Sequence, residues 1–158
     1  MQRRKIEVFP IIIVIGLLAG GAVAAFQFYS TEGFIEVEKV EVFGTSVLLS
    51  NGCTGLLAAT TPERAESIQN ALDGTSEERP NAHDTFVDTA RHFNITLEAV
   101  QLTHVEGDNF ISEMILHQGN NVLRLDTRPS DAIAIALRLD AKVYINKTLF
   151  AEQGQYIC

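Results

Sequence analysis

Alternation of apolar and charged residues gives this chain its first readable segment. FIEVEKVEV, from Phe34 to Val42, predicts one strand with a wet face. Gly44 turns the chain into a second short strand, Ser46 to Ser50. Asn51-Gly52, a pair suited to the left-handed conformations of a tight hairpin, leads into a third, Gly55 to Ala59. Thr61-Pro62-Glu63 then opens a helix, with Thr61 as N-cap, Pro62 at the first position and Glu63 on the positive end of the helix dipole. That helix runs to about Leu72 and ends at Asp73-Gly74. Thr75 to Arg79 reads as an exposed loop. A second helix follows from about Ala82 to Phe93, burying Phe86, Val87, Ala90 and, at its end, Phe93. Ile95 to Val105 alternates again as a long strand, and Gly107-Asp108-Asn109 and Gly119-Asn120-Asn121 turn it into two more.

The segment from Leu123 to Ile145 condenses the same logic. Leu123, Leu125 and Thr127 alternate with Arg124, Asp126 and Arg128, and Pro129 stops the strand. Ser130 reads as an N-cap, with Asp131 in the first turn of an amphipathic helix that ends near Asp140. Lys142 to Ile145 returns as a strand. The fold class is therefore α+β, a largely antiparallel sheet with about three helices.

The apolar pattern changes character before Phe34. Val8 to Phe26 contains no charged or strongly polar side chain, and Arg3, Arg4 and Lys5 precede it. A run of this length matches the ~20 residues needed to span a bilayer. The basic flank predicts a cytoplasmic N-terminus and an extracytoplasmic domain. Ala22-Val23-Ala24 also fits a signal-peptidase site, but the length of the apolar run favours an uncleaved anchor. The division is then residues 1–29 as a single-pass anchor contacting lipid through 8–28, and residues 30–158 as the α+β domain.

Charge restricts what that domain can bind. The whole chain carries a formal −8, and from Ser30 onward nine Lys and Arg stand against nineteen Asp and Glu, a net of −10. Nucleic-acid binding draws on counterion release at a basic surface, so this balance disfavours a polyanionic partner. Homo-oligomer contacts or subunits of a membrane complex suit an acidic, tethered domain better. Cys53 and Cys158 either pair, as an oxidising compartment allows, or remain free, and their spacing leaves both open. Asn94-Ile-Thr96 and Asn146-Lys-Thr148 are acceptor triplets for N-glycosylation.

Two motifs carry a resemblance. RPSDAIAIALRLDAKVYI, from Arg128 to Ile145, is similar to the signature segment of the bifunctional nuclease family. Arg79, Pro80, His83 and Asp84 in RPNAHD resemble a second block of that family at a similar distance upstream. The resemblance covers roughly Phe34 to Gly154. It implies a small α+β domain with weak DNase and RNase activity, and an oligomer. Asn109 and Phe110 resemble the family's hairpin turn. Arg64 departs from the family pattern, which tends to have a glutamate there.

The residues themselves suggest how such a site would work. Phosphodiester hydrolysis needs a group to activate water and a group to neutralise developing charge. His83, Asp84 and Asp131 are the candidate catalytic residues. Asp84 and Asp131 could hold a divalent metal, magnesium or manganese, and Arg79 and Arg128 could clamp phosphate oxygens. This requires the two Arg-Pro loops to meet in space. The same residues also suit purely structural roles, with Asp131 and Ser130 at a helix start and the arginines pairing with the aspartates. Two functions follow: a membrane-anchored nuclease, or a non-catalytic accessory subunit of a membrane complex. A weaker third is an extracellular domain binding a small anion or metal at the two helix N-termini.

Overall fold

The computed structural model describes residues 29–158. The span expected over residues 8–28 lies outside the described residues. Among those described, no helix is long and apolar enough to cross a membrane.

The run from Phe34 to Val42 forms two strands, β1 (Phe34–Glu36) and β2 (Lys39–Phe43), which belong to different sheets. The break falls where Glu38 and Lys39 put two charged residues in succession and the alternation slips phase. There the Val37 N–H donates to Val143 O at 2.8 Å and the Glu38 N–H to Ser50 O at 2.8 Å, so the chain steps from one sheet to the other.

Strand β2 continues through β3 (Ser46–Asn51) and β4 (Thr54–Ala59), and β9 (Gln155–Tyr156) completes a four-stranded antiparallel sheet in the order β2-β3-β4-β9. The five-stranded sheet has the order β1-β8-β5-β6-β7, built from β5 (Thr96–Glu106), β6 (Asn109–Gln118), β7 (Asn121–Thr127) and β8 (Lys142–Asn146). Its pairs are antiparallel except β5 with β8, which run parallel. The sheet is therefore mixed, and there are two sheets where the sequence suggests one. Alternation reports which face of a strand is wet but not which neighbour it takes.

Helices α1 (Pro62–Asp73), α2 (Ala82–His92) and α3 (Pro129–Arg138) match the expected spans to within two residues. A fourth, α4 (Lys147–Gln153), was not expected; the Asn146 side chain caps it by accepting the Thr148 N–H at 2.9 Å and the Leu149 N–H at 3.3 Å. Helix α3 is the centre of the domain. Ala132 to Ala136 are all buried, and the helix packs against α1, α2, β5 and β6. Arg128, in extended conformation, is its N-cap residue and Pro129 its first helical residue, so Ser130 lies inside the helix instead of capping it. The main core gathers Leu49, Leu56, Ile68, Val100, Leu102 and Ile145 from both sheets and α1.

Cys53 and Cys158 are joined as a disulfide, with Cα atoms 5.2 Å apart. The bond fastens the C-terminus to the β3–β4 turn. Glycine is required at Gly154, where a Cβ would collide with the Phe150 carbonyl oxygen as the chain leaves α4 for β9.

Candidate functional site

The start of α2 is built by its own sequence. Asn81 Oδ1 accepts the N–H groups of His83 at 2.8 Å and Asp84 at 3.1 Å, while Asp84 Oδ2 accepts the Asn81 N–H at 3.0 Å. This is a reciprocal capping box, here with asparagine and aspartate. The other oxygen of Asp84 accepts Arg138 Nε at 2.8 Å, and Arg138 Nη1 also donates to the carbonyls of Ser67 at 3.0 Å and Ala134 at 2.9 Å. Burial alone would raise the Asp84 pKa. The Asn81 N–H and the Arg138 guanidinium outweigh it and hold the carboxyl below its ordinary 3.8.

Ser67, on α1, links this pair to the next. Its Oγ accepts Arg138 Nη2 at 3.2 Å and Asn81 Nδ2 at 3.3 Å, which occupies both lone pairs. The hydroxyl proton is left for His83 Nδ1, 2.8 Å away. These bonds assign the proton on His83 to Nε2, which donates to Asp131 Oδ1 at 3.2 Å. Arg64 Nε reaches the same oxygen at 3.2 Å. Ser67, His83 and Asp131 thus stand in the order of a Ser-His-Asp triad, but Ser67 is 2% exposed and cannot meet a substrate. In this cluster Asp131 Oδ2 is the carboxylate oxygen that takes part in none of these bonds, on a side chain 27% exposed.

The two Arg-Pro loops therefore meet, through His83 and Asp131, though not through their arginines. Arg79 is exposed and has no side-chain partner among the described residues. Arg128 is also exposed and without a side-chain partner among the described residues, but it lines a cleft of about 820 Å³ between the β3–β4 hairpin, the β5–β6 turn and the start of α3. Arg64 lines the same cleft and, through its bond to Asp131, connects it to that carboxylate, whereas Asp131, His83 and Arg79 do not themselves line it. The opposing walls are apolar Val47, Leu49, Leu102, Phe110 and Ile133, and polar Asp108, Asn109, Asp126 and Ser130.

A divalent cation held by Asp84 and Asp131 does not fit this arrangement. Both Asp84 oxygens are engaged by Arg138 and the Asn81 N–H. Among the described residues no three His, Cys, Asp or Glu side chains converge as a ligand set. Asp84 is instead the carboxylate that fastens α2 to α3.

The remaining candidates lie elsewhere. His92 is exposed with its ring edge-on to Phe93, which follows the last turn of α2 and is exposed instead of buried; His104 pairs with Glu106 at 3.2 Å, and His117 pairs with Glu98 at 2.6 Å. Asn94 is exposed with φ 54°, and Asn146 uses its carbonyl oxygen as the α4 cap. Asn109 and Phe110 form the turn end of β6 and also line the cleft. Sequence reasoning missed Ser67, Asn81 and Arg138. Asn81 and Asp84 at N-cap and third position were a legible capping box; Ser67 and Arg138 gave no local signal.

A family model described as the bifunctional nuclease domain matches residues 54–157. Among curated proteins, two uncharacterized proteins of Mycobacterium tuberculosis, MT1877 of strain CDC 1551 / Oshkosh and Rv1829 of strain ATCC 25618 / H37Rv, are each 27% identical over 93 residues. That alignment covers 59% of this chain and 55% of each relative. The chain thus spans a little over half the length of those relatives.

Proposed function

Since the chain belongs to the bifunctional nuclease domain family, we propose that it hydrolyses phosphodiester bonds in RNA or DNA at the junction of the His83–Asp131 pair and the adjoining cleft. One observation carries the reading. Residues from two separate Arg-Pro loops meet at 3.2 Å beside Arg64, leaving Asp131 Oδ2 open.

In this scheme Asp131 orients and deprotonates the attacking water. His83 Nε2–H and Arg64 hold its other oxygen, which fixes the carboxylate plane. Arg128, with the remaining nitrogens of Arg64, receives the phosphate oxygens as charge builds. Water adds to phosphorus, its proton passes to Asp131, the P–O ester bond breaks, and the leaving oxygen takes a proton from solvent. The apolar run from Val8 to Phe26 belongs to the same proposal, as a tether that leaves the domain on the extracytoplasmic side.

The test is cleavage of labelled single-stranded RNA and DNA by the full chain purified in detergent. Asp131→Asn should lower the rate by about 100-fold or more, and His83→Gln, by freeing the carboxylate, by about tenfold or more. Equal cleavage by wild type and Asp131→Asn would remove the assignment.

A second reading has its own observation. Both nitrogens of His83 and both oxygens of Asp84 are already partnered, as a structural cluster would have them, in a domain of net charge −10. In that case the domain is a non-catalytic subunit of a homo-oligomer or membrane complex. Native mass determination on protein taken directly from membranes separates the two, because this reading requires stoichiometric partners or copies.

A further inference from the structure

The cleft beside Asp131 has a composition that narrows the substrate class. We propose that it seats one unpaired nucleotide at the end of a strand, with the phosphate on Arg64 and Arg128 and the base against the apolar wall. The inference rests on the hydrolytic reading above and specifies its substrate as the termini of single strands.

Size is the first argument. A volume of about 820 Å³ lies in the range of small-molecule sites, ~300–1,000 Å³, and accommodates a nucleotide with solvent to spare. Chemistry is the second. Phe110 and Ile111, both half-buried, and the exposed Ala59 offer an apolar surface of the kind on which a base stacks, while Arg128 is unpaired among the described residues and Arg64 spends only its Nε on Asp131. Asn109 and Ser130 add donors and acceptors for a base edge or sugar hydroxyl. A base inside a duplex is stacked and paired and would have to flip out, at a cost of a few kcal/mol, before reaching that wall.

Charge supplies the third argument, and it points to a terminus. The two arginines share the cleft lining with Asp108 and Asp126, and the domain has nine basic residues against nineteen acidic ones. One phosphate finds counter-charge there. A strand continuing in both directions brings further phosphates to a surface whose net field repels them. A terminal nucleotide places only one side of the chain under that repulsion.

The experiment uses the full chain in detergent, with adenosine 5′-monophosphate as the binding probe and two hydrolysis substrates, a linear and a covalently closed circular single strand of one sequence. The nucleotide should bind, with affinity falling at least tenfold in Arg128→Ala and in Phe110→Ala, and unchanged in Arg79→Ala. The linear strand should shorten from an end while the circle survives. Nicking of the circle overturns the terminal assignment and leaves the hydrolytic reading standing. Absence of nucleotide binding, or binding indifferent to both cleft variants, overturns the seat. Binding that responds to the variants without cleavage of either strand supports the seat and removes the hydrolysis.

Discussion

Arg79-Pro80 and Arg128-Pro129 each precede a helix with an aspartate near its start, yet the two segments do opposite things. In the first, the arginine is idle and the following residues do the work: Asn81 caps α2 and Asp84 is locked to Arg138. In the second, the arginine itself is the N-cap residue of α3 and faces the cleft, while Asp131 keeps one oxygen open. Position relative to the helix start makes the difference. One residue, Asn81, separates Pro80 from the first turn of α2, whereas Pro129 is itself the first residue of α3. The first segment thus ends in closed, partly buried pairs and the second in groups that solvent can reach.

Substitutions should expose that division. Arg138→Ala removes the guanidinium from the Asp84 carboxylate, on a side chain only 15% exposed, and from the backbone carbonyl of Ser67, a residue 2% exposed. Removing one member of such a pair costs about 3–5 kcal/mol, measurable by urea denaturation. Arg128→Ala should do the reverse, lowering cleavage by about 2.7 kcal/mol of barrier, roughly 100-fold, with stability shifted by less than about 0.5 kcal/mol. A large stability loss there would erase the contrast between the segments. Asn81→Ala removes the cap of α2 and one donor to Ser67 Oγ, and should destabilise by about 1–2 kcal/mol in the same urea experiment.

Acid tests the closed side by another route. The Asp84 pKa is depressed in the fold, so its contribution is fully present above the ordinary 3.8 and is lost as pH falls through the lower folded value. Stability curves of wild type and Asp84→Asn should therefore converge as pH drops below 3.8. The smallest effect belongs to Arg79→Ala, expected within about 0.5 kcal/mol in stability and neutral in cleavage. A strong loss of cleavage in that variant would return the first arginine to the site.

Helix α3 was legible in the sequence because Pro129, Asp131 and the apolar run are local signals, whereas the meeting of the two loops was a condition that the two motifs set and only the fold supplies. The split of Phe34 to Val42 between sheets was written in the slip at Glu38-Lys39, but only pairing partners distant in sequence, Val143 and Ser50, give that slip its meaning. The roles of Ser67 and Arg138 were hidden for the same reason. Their bonds reach His83 and Asp84, 16 and 54 residues away, and nothing in a local window distinguishes them from any polar residue on an amphipathic helix. The fit of two aspartates to a cation failed because both oxygens of Asp84 are spent on its own helix start and on α3.

The disulfide gives the two ends of the domain different mechanical standing. The C-terminal residue is held covalently to the β3–β4 turn, whereas the N-terminal end enters through β1, an edge strand with three pairs to β8. Tension applied from the side of residue 29 therefore loads hydrogen bonds and should peel β1 first. It then meets the crossing at Val37 and Glu38, behind which the five pairs between β2 and β3 resist. Tension at the other end is carried into the turn between β3 and β4 by a covalent bond, so the domain should yield from its N-terminal edge inward.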